Sequence, residues 1–366
     1  SKLCQIVKII KKIRYRTMIL ASLLFFYLGC GITISFLKME CVDAEQRLIA
    51  ENDLWKDVEY AVLIMSGPNN ELKRDAIRTT WCKFVDNIFI ENGEKLYKWN
   101  HTWTKLIAPK VFIKYFFVIG IQNLDEDKII RLKSEHNKNN DLLLLDDFED
   151  NYKNLASKLL HSLKWFNINM KSLKYLIKCD DDSFVRIDLI IRDLDAFAPD
   201  MNALSINEFI SRKSSPGNKG LYWGYFDGRA RVYLNGKWQE KGWFLCDNYL
   251  PYALGGGYVI SKHIVQYVAN NADVLSHYNS EDVSMGVWTA ALDGINRVHD
   301  TRFDTEWKSR GCSEFSLVRH KQTPSDIFDM YKTLVNSDGE RLCKTESIDR
   351  KSYIYRWDVL PSKCCR

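Results

Sequence analysis

The chain has 366 residues, 46% of them hydrophobic and 13% aromatic, enough for a sizeable core and too apolar for global disorder. Its formal charge of +5 raises the question of a nucleic-acid partner. Lys2, Lys8, Lys11, Lys12, Arg14 and Arg16 all precede the first acid, however, and +5 less these six leaves −1 for everything after them, so that partner loses its support.

Directly after Arg16 runs TMILASLLFFYLGCGITISFL, residues 17–37, without a charge. Its 21 residues, at about 1.5 Å each, reach across about 30 Å of hydrocarbon. Basic residues before it and Glu40, Asp43 and Glu45 after it put a tail, residues 1–16, in the cytoplasm and the rest of the chain beyond the membrane. A cleaved leader, with a shorter apolar region and a small-residue cleavage site, is the alternative. Of ten cysteines, Cys41, Cys82, Cys179, Cys246, Cys312, Cys343, Cys364 and Cys365 lie beyond the span. Their spacing fits no zinc pattern, so disulfides in an oxidising compartment are expected, with the connectivity open. Asn100-His101-Thr102 is a glycosylation sequon.

Residues 38–57 are mixed and charged, as in a short stem. YAVLIMSG (60–67) then reads as a strand covered on both faces. A helix over 71–85, a strand over 111–120, a polar helix over 123–138 and a strand over 141–148 follow. Leu155, Leu159, Leu160, Leu163 and Phe166 recur at helical spacing, and 173–179 returns to strand. This alternation predicts an α/β domain over 58–321, with a mainly parallel sheet and helices on both faces. From 222 to 244 aromatic and glycine-rich sequence suggests short antiparallel strands and loops. The tail, 322–366, ends in Cys364-Cys365 and is expected to be fastened to the domain by a disulfide.

In KCDDDSFVRI (178–187) an apolar strand ends on Asp180, Asp181 and Asp182, about one charge every 3.3 Å. Such repulsion needs solvent, a cation or a cationic partner to offset it. Alternation along an extended chain puts Asp180 and Asp182 on one side and Asp181 on the other. Carboxylates at the carboxyl edge of a parallel sheet suit Mn²⁺ or Mg²⁺ carrying a phosphate; a solvated acidic turn is the plainer reading. LGGGYVIS (254–261), with Gly255, Gly256 and Gly257, permits close backbone approach to a ligand, as would a tight turn before a helix. In HYNSEDVSMGVW (277–288) Ser280 can cap a helix whose first turn holds Glu281 and Asp282, where the helix dipole favours acids whatever their chemistry. Arg74 and Arg78, four apart, share a helix face and suit a diphosphate, or simply an exposed charged surface. His299, in RVHD, is a metal ligand or an ordinary core histidine.

In this order KRDAIRTTW, KCDDDSFVR, YALGGGYVIS and SEDVSMGVW resemble the β-1,3-glycosyltransferases, Golgi type II enzymes of GT-A fold, over about residues 58–320. CDNYLPYALGGGYVIS and the stretch from EDVSMGVW to RVHDTRFDTEWKSRGC are most similar to the galactosyltransferase II branch. That branch adds galactose in β-1,3 linkage to the galactosyl-xylosyl-serine core of the proteoglycan linker. The resemblance implies a Rossmann-like GT-A fold behind one transmembrane helix, UDP-galactose as donor and Mn²⁺ as cofactor. It implies Asp182 as the direct metal ligand with Asp180 beside it, and Asp181 and Lys178 on the nucleotide-sugar side. His299 becomes an extra ligand, Arg74 and Arg78 hold UDP, and Gly255, Gly256 and Gly257 floor the sugar pocket. An α-linked donor giving a β product means inversion, with Asp282 as base and Glu281 orienting donor or acceptor. Trp243 and Tyr252 are candidates to stack on acceptor sugars, or plain core residues. N-acetylglucosamine as donor, or another acceptor, is the nearest alternative. A non-catalytic Golgi chaperone or lectin would be expected to lack the triplet or Asp282.

Overall fold

The computed structural model describes residues 26–27, 55–91, 94–97, 112–197, 220–236 and 239–365. The predicted span, apart from residues 26 and 27, most of the stem, and Asn100 lie outside them. Among the described residues no helix is long and apolar enough to cross a membrane. Residues 1–55 and 56–366 are separate compact units, and the architecture below belongs to the second.

β1 (Tyr60–Met65) is buried at every position, as a strand covered on both faces must be. α1 (Glu71–Thr79) stops short of the predicted residue 85. Thr80, β-branched like Thr79, bonds back through its hydroxyl to the Ala76 carbonyl, and Trp81–Asn87 continue as a tighter 3-10 helix. β2 (Ile88–Glu91) and β3 (Glu94–Tyr97) form a separate ribbon. Then come β4 (Ile113–Gly120), α2 (Glu126–Asn139), β5 (Leu142–Leu145), α3 (Leu155–Asn169) and β6 (Tyr175–Asp180). β6, β1, β4 and β5 pair in parallel, as apolar runs alternating with helices require.

The second half breaks that pattern. After β7 (Phe184–Val185), α4 (Ile187–Phe197) and β8 (Gly220–Asp227), the strand β9 (Tyr252–Ser261) inserts between β6 and β8, antiparallel to both. LGGGYVIS is therefore sheet rather than turn, and α5 (Lys262–Asn270) starts directly after it. α6 (Glu281–Ala290) leads to β10 (Ile295–His299), which closes a mixed seven-stranded sheet of order β10-β8-β9-β6-β1-β4-β5. A small sheet joins β11 (Phe303–Asp304), β12 (Val318–Arg319) and β7.

The tail begins with α7 (Pro324–Asn336), opened by a capping box between Thr323 and Asp326, and this helix packs on α1. Cys312–Cys343 fastens the tail, while Cys364 bonds its neighbour Cys365 rather than the domain. The buried Cys179 is a free thiol, as its place in an apolar strand predicts.

Two registers place the site. Met65 stands beside Asp180, so β1 and β6 end together, and Cys179 stands opposite Gly257. Because β9 runs the other way, its first residues arrive where β6 leaves.

Candidate active site

Alternation holds along the triplet. Asp181 turns into the protein, where Ser66 Oγ (2.8 Å), Asn70 Nδ2 (2.7 Å) and Lys73 Nζ (2.9 Å) donate to it. Asp180 and Asp182 turn toward His320, whose Nε2 is 3.3 Å from Asp180 Oδ2 and 3.0 Å from Asp182 Oδ1. The small sheet causes this meeting. β7 and β12 are antiparallel with Phe184 opposite Arg319, so the residue after Arg319 lies alongside those before Phe184. The Gln322 amide, donating to the Asp182 carbonyl, continues the contact. Lys321 occupies the left-handed region at φ 60°, uncommon for a residue with a side chain, and its Nζ lies 3.5 Å from Asp182 Oδ2.

Burial opposes an imidazolium at His320, but hydrogen bonds to Asp180 and Asp182 outweigh it and raise the pKa to about 9. Burial would likewise raise both carboxyls; Lys178 and His320 hold Asp180, and His320 holds Asp182, below the usual range. One ligand atom from each of Asp180, Asp182 and His320 lies within 4.8 Å of the others. Two carboxylates and an imidazole are a donor set for a divalent ion, which would take the place of the His320 proton. His320 Nδ1 is buried without a hydrogen-bond partner.

His299 is not part of this group, and the expectation for it is corrected. Its Nδ1 accepts from the Phe226 amide and its Nε2 donates to the Tyr353 carbonyl, both at 3.0 Å. The ring stacks on Tyr353, and burial lowers its pKa, as for a neutral core histidine. His320, in SLVRHKQ, has the same apolar-then-histidine signature, and only the strand pairing tells the two apart.

Asp282 and Glu281 open α6. Asp282 Oδ2 accepts from the Gly255 amide (2.9 Å) and Oδ1 from its own neighbour Val283 (2.8 Å). Removal from water first, and the charge of Glu281 second, raise Asp282 to about 7. A carboxylate so tuned can take up a proton near neutrality. The glycines make this proximity possible. A Cβ on Gly255 would stand 2.5 Å from Glu281 Oε1, one on Gly256 2.5 Å from the His320 ring, and one on Gly257 2.8 Å from Val318. Gly255 and Gly256 do line the cavity, while Gly257 is packed behind it.

That cavity, about 560 Å³, has Asp180 and His320 on its wall together with Glu281 and Asp282, and Tyr152, Tyr233, Tyr252, Trp307 and Lys321 around them. Several expected contacts are not on it. Arg74 is fully buried; its guanidinium is spent on Glu135 (2.7 and 2.7 Å), Ser66 and Gly67. Arg78 is spent on Asp141, Glu135 and Asp75. Both share a face as predicted, but they brace α1 against α2 and do not line the cavity. Lys178 is also fully buried, with all its bonds inside the protein, so it too is no donor contact. Trp243 packs edge-on against Tyr249 and Tyr278 in an aromatic cluster and donates to the Cys246 carbonyl. Tyr252 reaches the wall but is largely buried.

The strand ends thus gather a cation-binding donor set close to a near-neutral carboxyl, with Asp180, His320 and Asp282 lining one cavity, an arrangement that can serve group transfer. Residues 72–301 match the Galactosyltransferase family, and the chain belongs to that family. Beta-1,3-galactosyltransferase 6 of Mus musculus is 39% identical over 306 residues, covering 84% of this chain and 82% of that protein. Human UDP-GalNAc:beta-1,3-N-acetylgalactosaminyltransferase 2 is 31% identical over 212 residues, 58% of this chain and 37% of that protein. Hydroxyproline O-galactosyltransferase GALT2 of Arabidopsis thaliana is 26% identical over 278 residues, 74% of this chain and 34% of that protein. The chain thus spans most of the mouse relative and about a third of the other two. His320 lies beyond the end of the family match.

Proposed function

We propose that the protein is an inverting, Mn²⁺-dependent β-1,3-galactosyltransferase of GT-A type. It would transfer galactose from UDP-galactose to the galactose of the galactosyl-xylosyl-serine core of proteoglycans, as a type II protein of the Golgi membrane with its catalytic domain in the lumen. The observation that carries the reading is the cavity itself, lined by Asp180 and His320 of the Asp180–Asp182–His320 group and by Asp282, whose pKa is about 7. The likeness to the mouse β-1,3-galactosyltransferase, over most of both chains, supports galactose and the linkage.

In the reaction the acceptor hydroxyl oxygen forms a bond to C1 of galactose. The bond from C1 to the diphosphate oxygen breaks, and its electron pair leaves with UDP. Asp282 receives the hydroxyl proton on the face opposite UDP, held in aim by the Gly255 amide. Asp180, Asp182 and His320 would hold a divalent ion, which would supply Lewis-acid neutralisation of negative charge on the diphosphate. Lys321 adds a partly exposed ammonium on the same wall.

The test is transfer by the purified protein from a panel of UDP-sugars to a galactosyl-xyloside, after chelation and again with Mn²⁺ restored. Galactose transfer that needs Mn²⁺ is the expected result. Preference for another UDP-sugar or another acceptor would overturn the substrate assignment, and transfer indifferent to chelation would overturn the metal. Alkaline extraction of membranes from expressing cells tests the anchor, which should keep the full chain in the pellet.

A further inference from the structure

Lys178 stands between the two halves of the site. An ammonium has three protons to give, and Lys178 spends them on three different elements. Asp180 Oδ1 on β6 is 2.9 Å away, the Gly255 carbonyl on β9 2.5 Å, and Glu281 Oε1 on α6 2.6 Å. The side chain is fully buried. Both backbone groups of Gly255 are held, since its oxygen accepts from Lys178 and its nitrogen donates to Asp282 Oδ2. On the far side, Asp180 turns its second oxygen to His320. An unbroken run of polar contacts therefore leads from Asp282 through Gly255 and Lys178 to Asp180 and His320.

We propose that Lys178 is a positioning residue that fixes the base Asp282 in register with the Asp180–Asp182–His320 donor set. The role rests on the reading of Asp282 as base. Asp180 and the start of α6 lie on elements 103 residues apart in sequence, counted from Lys178 to Glu281, and no main-chain ladder joins β6 to α6. The β6–β9 ladder and the Gly255 amide hold Asp282 through the main chain, and the buried ammonium adds a direct side-chain link from Asp180 to the start of α6 without touching substrate.

Two double-substitution cycles test this. The first reads melting temperature in metal-free protein. Lys178→Met leaves Glu281 buried without its cation and should lower the midpoint, and adding Glu281→Gln should restore most of the loss. Additive losses would overturn the clamp. The second cycle reads turnover. Lys178→Met should lower kcat about 10²-fold, the scale of a misplaced catalytic group, with less than about threefold change in donor KM. In an Asp282→Asn background the same substitution should cost less than about threefold, because the group it aims is already gone. Equal losses in both backgrounds would overturn the proposal. If Lys178→Met does not fold, Lys178→Met/Glu281→Gln is compared with Glu281→Gln instead. The turnover cycle uses whichever UDP-sugar and acceptor the wild-type protein accepts, so a wrong sugar assignment leaves it readable. No turnover with any UDP-sugar would sink the transferase reading, and the melting cycle would still judge the clamp.

Discussion

Histidines 299 and 320 show how much a single side chain's surroundings decide. One ends a short strand and the other directly follows one, yet His299 is consumed by two main-chain groups and His320 faces two carboxylates. His320→Gln should weaken divalent-ion binding, measured by calorimetry on the metal-free protein, by about tenfold or more, since even a ligand's supporting partners are worth that much. His299→Gln should leave the ion's affinity within about twofold and lower the melting temperature instead. Asp282 carries a second expectation. Asp282→Asn should lower kcat by about 10² to 10⁴ with little change in donor KM. In the wild type kcat/KM should fall about tenfold per pH unit below about 7, where the base is protonated. Its raised pKa also means that the folded chain holds a proton the unfolded chain releases above about 4. Stability from this carboxyl is therefore present at low pH and lost as pH rises toward about 7. The melting temperature of Asp282→Asn, relative to wild type, should accordingly climb between pH 5 and 8. The triplet, Glu281 and Asp282 were legible because acids at a strand end and a helix start are visible in sequence. His320 was not, because its place depends on β7 pairing with β12.

At the scale of elements, β9 is the strand that makes the site. Its glycines read as a ligand-approach loop in sequence, since three in a row are poor strand formers. In the fold they are empty places into which Glu281, His320 and Val318 fit. Gly256→Ala should therefore cost about 1–3 kcal/mol by overpacking against a ring held by two carboxylates. It should also weaken divalent-ion binding, read by calorimetry beside the melting temperature. An unchanged ion affinity would mean that the ring moves freely and that Gly256 is only a strand residue. The helix α1 taught the opposite lesson. Its arginines looked like phosphate ligands because charge is visible in sequence, and Glu135 and Asp141, which neutralise them, lie on the other side of β4 in the chain.

Across the whole molecule, the parallel strands β1, β4, β5 and β6 could be read from the sequence, because each is a continuous apolar run, whereas the β2–β3 ribbon between β1 and β4 was not expected. The mixed half could not, since aromatic and glycine-rich sequence does not state which neighbour a strand will choose. The tail is the other surprise. Tyr353 donates to the Phe226 carbonyl and its ring stacks on His299, so the last residues cover β8 and β10. Cys312–Cys343 closes a 31-residue separation, which a chain-entropy account makes worth about 3–4 kcal/mol. Cys343→Ser should lower the stability by that order, read as a fall in melting temperature, while leaving kcat near wild type, because neither cysteine lines the cavity. A large loss of kcat at a temperature well below the transition would show that the tail acts on the site itself.

The direction of synthesis gives the acidic strand end one more consequence. When Asp181 leaves the ribosome, Ser66, Asn70 and Lys73 have already been made, so its partners are waiting. Asp182 meets Lys321 only 139 residues later, and Lys178 meets Glu281 only after 103. The parallel half can thus take shape while Asp182 is still unmatched and Asp180 has only Lys178 beside it. A chain interrupted before His320 would keep most of its sheet and the two carboxylates of its donor set without the imidazole, and Asp182, with neither His320 nor Lys321 beside it, would mark it as unfinished.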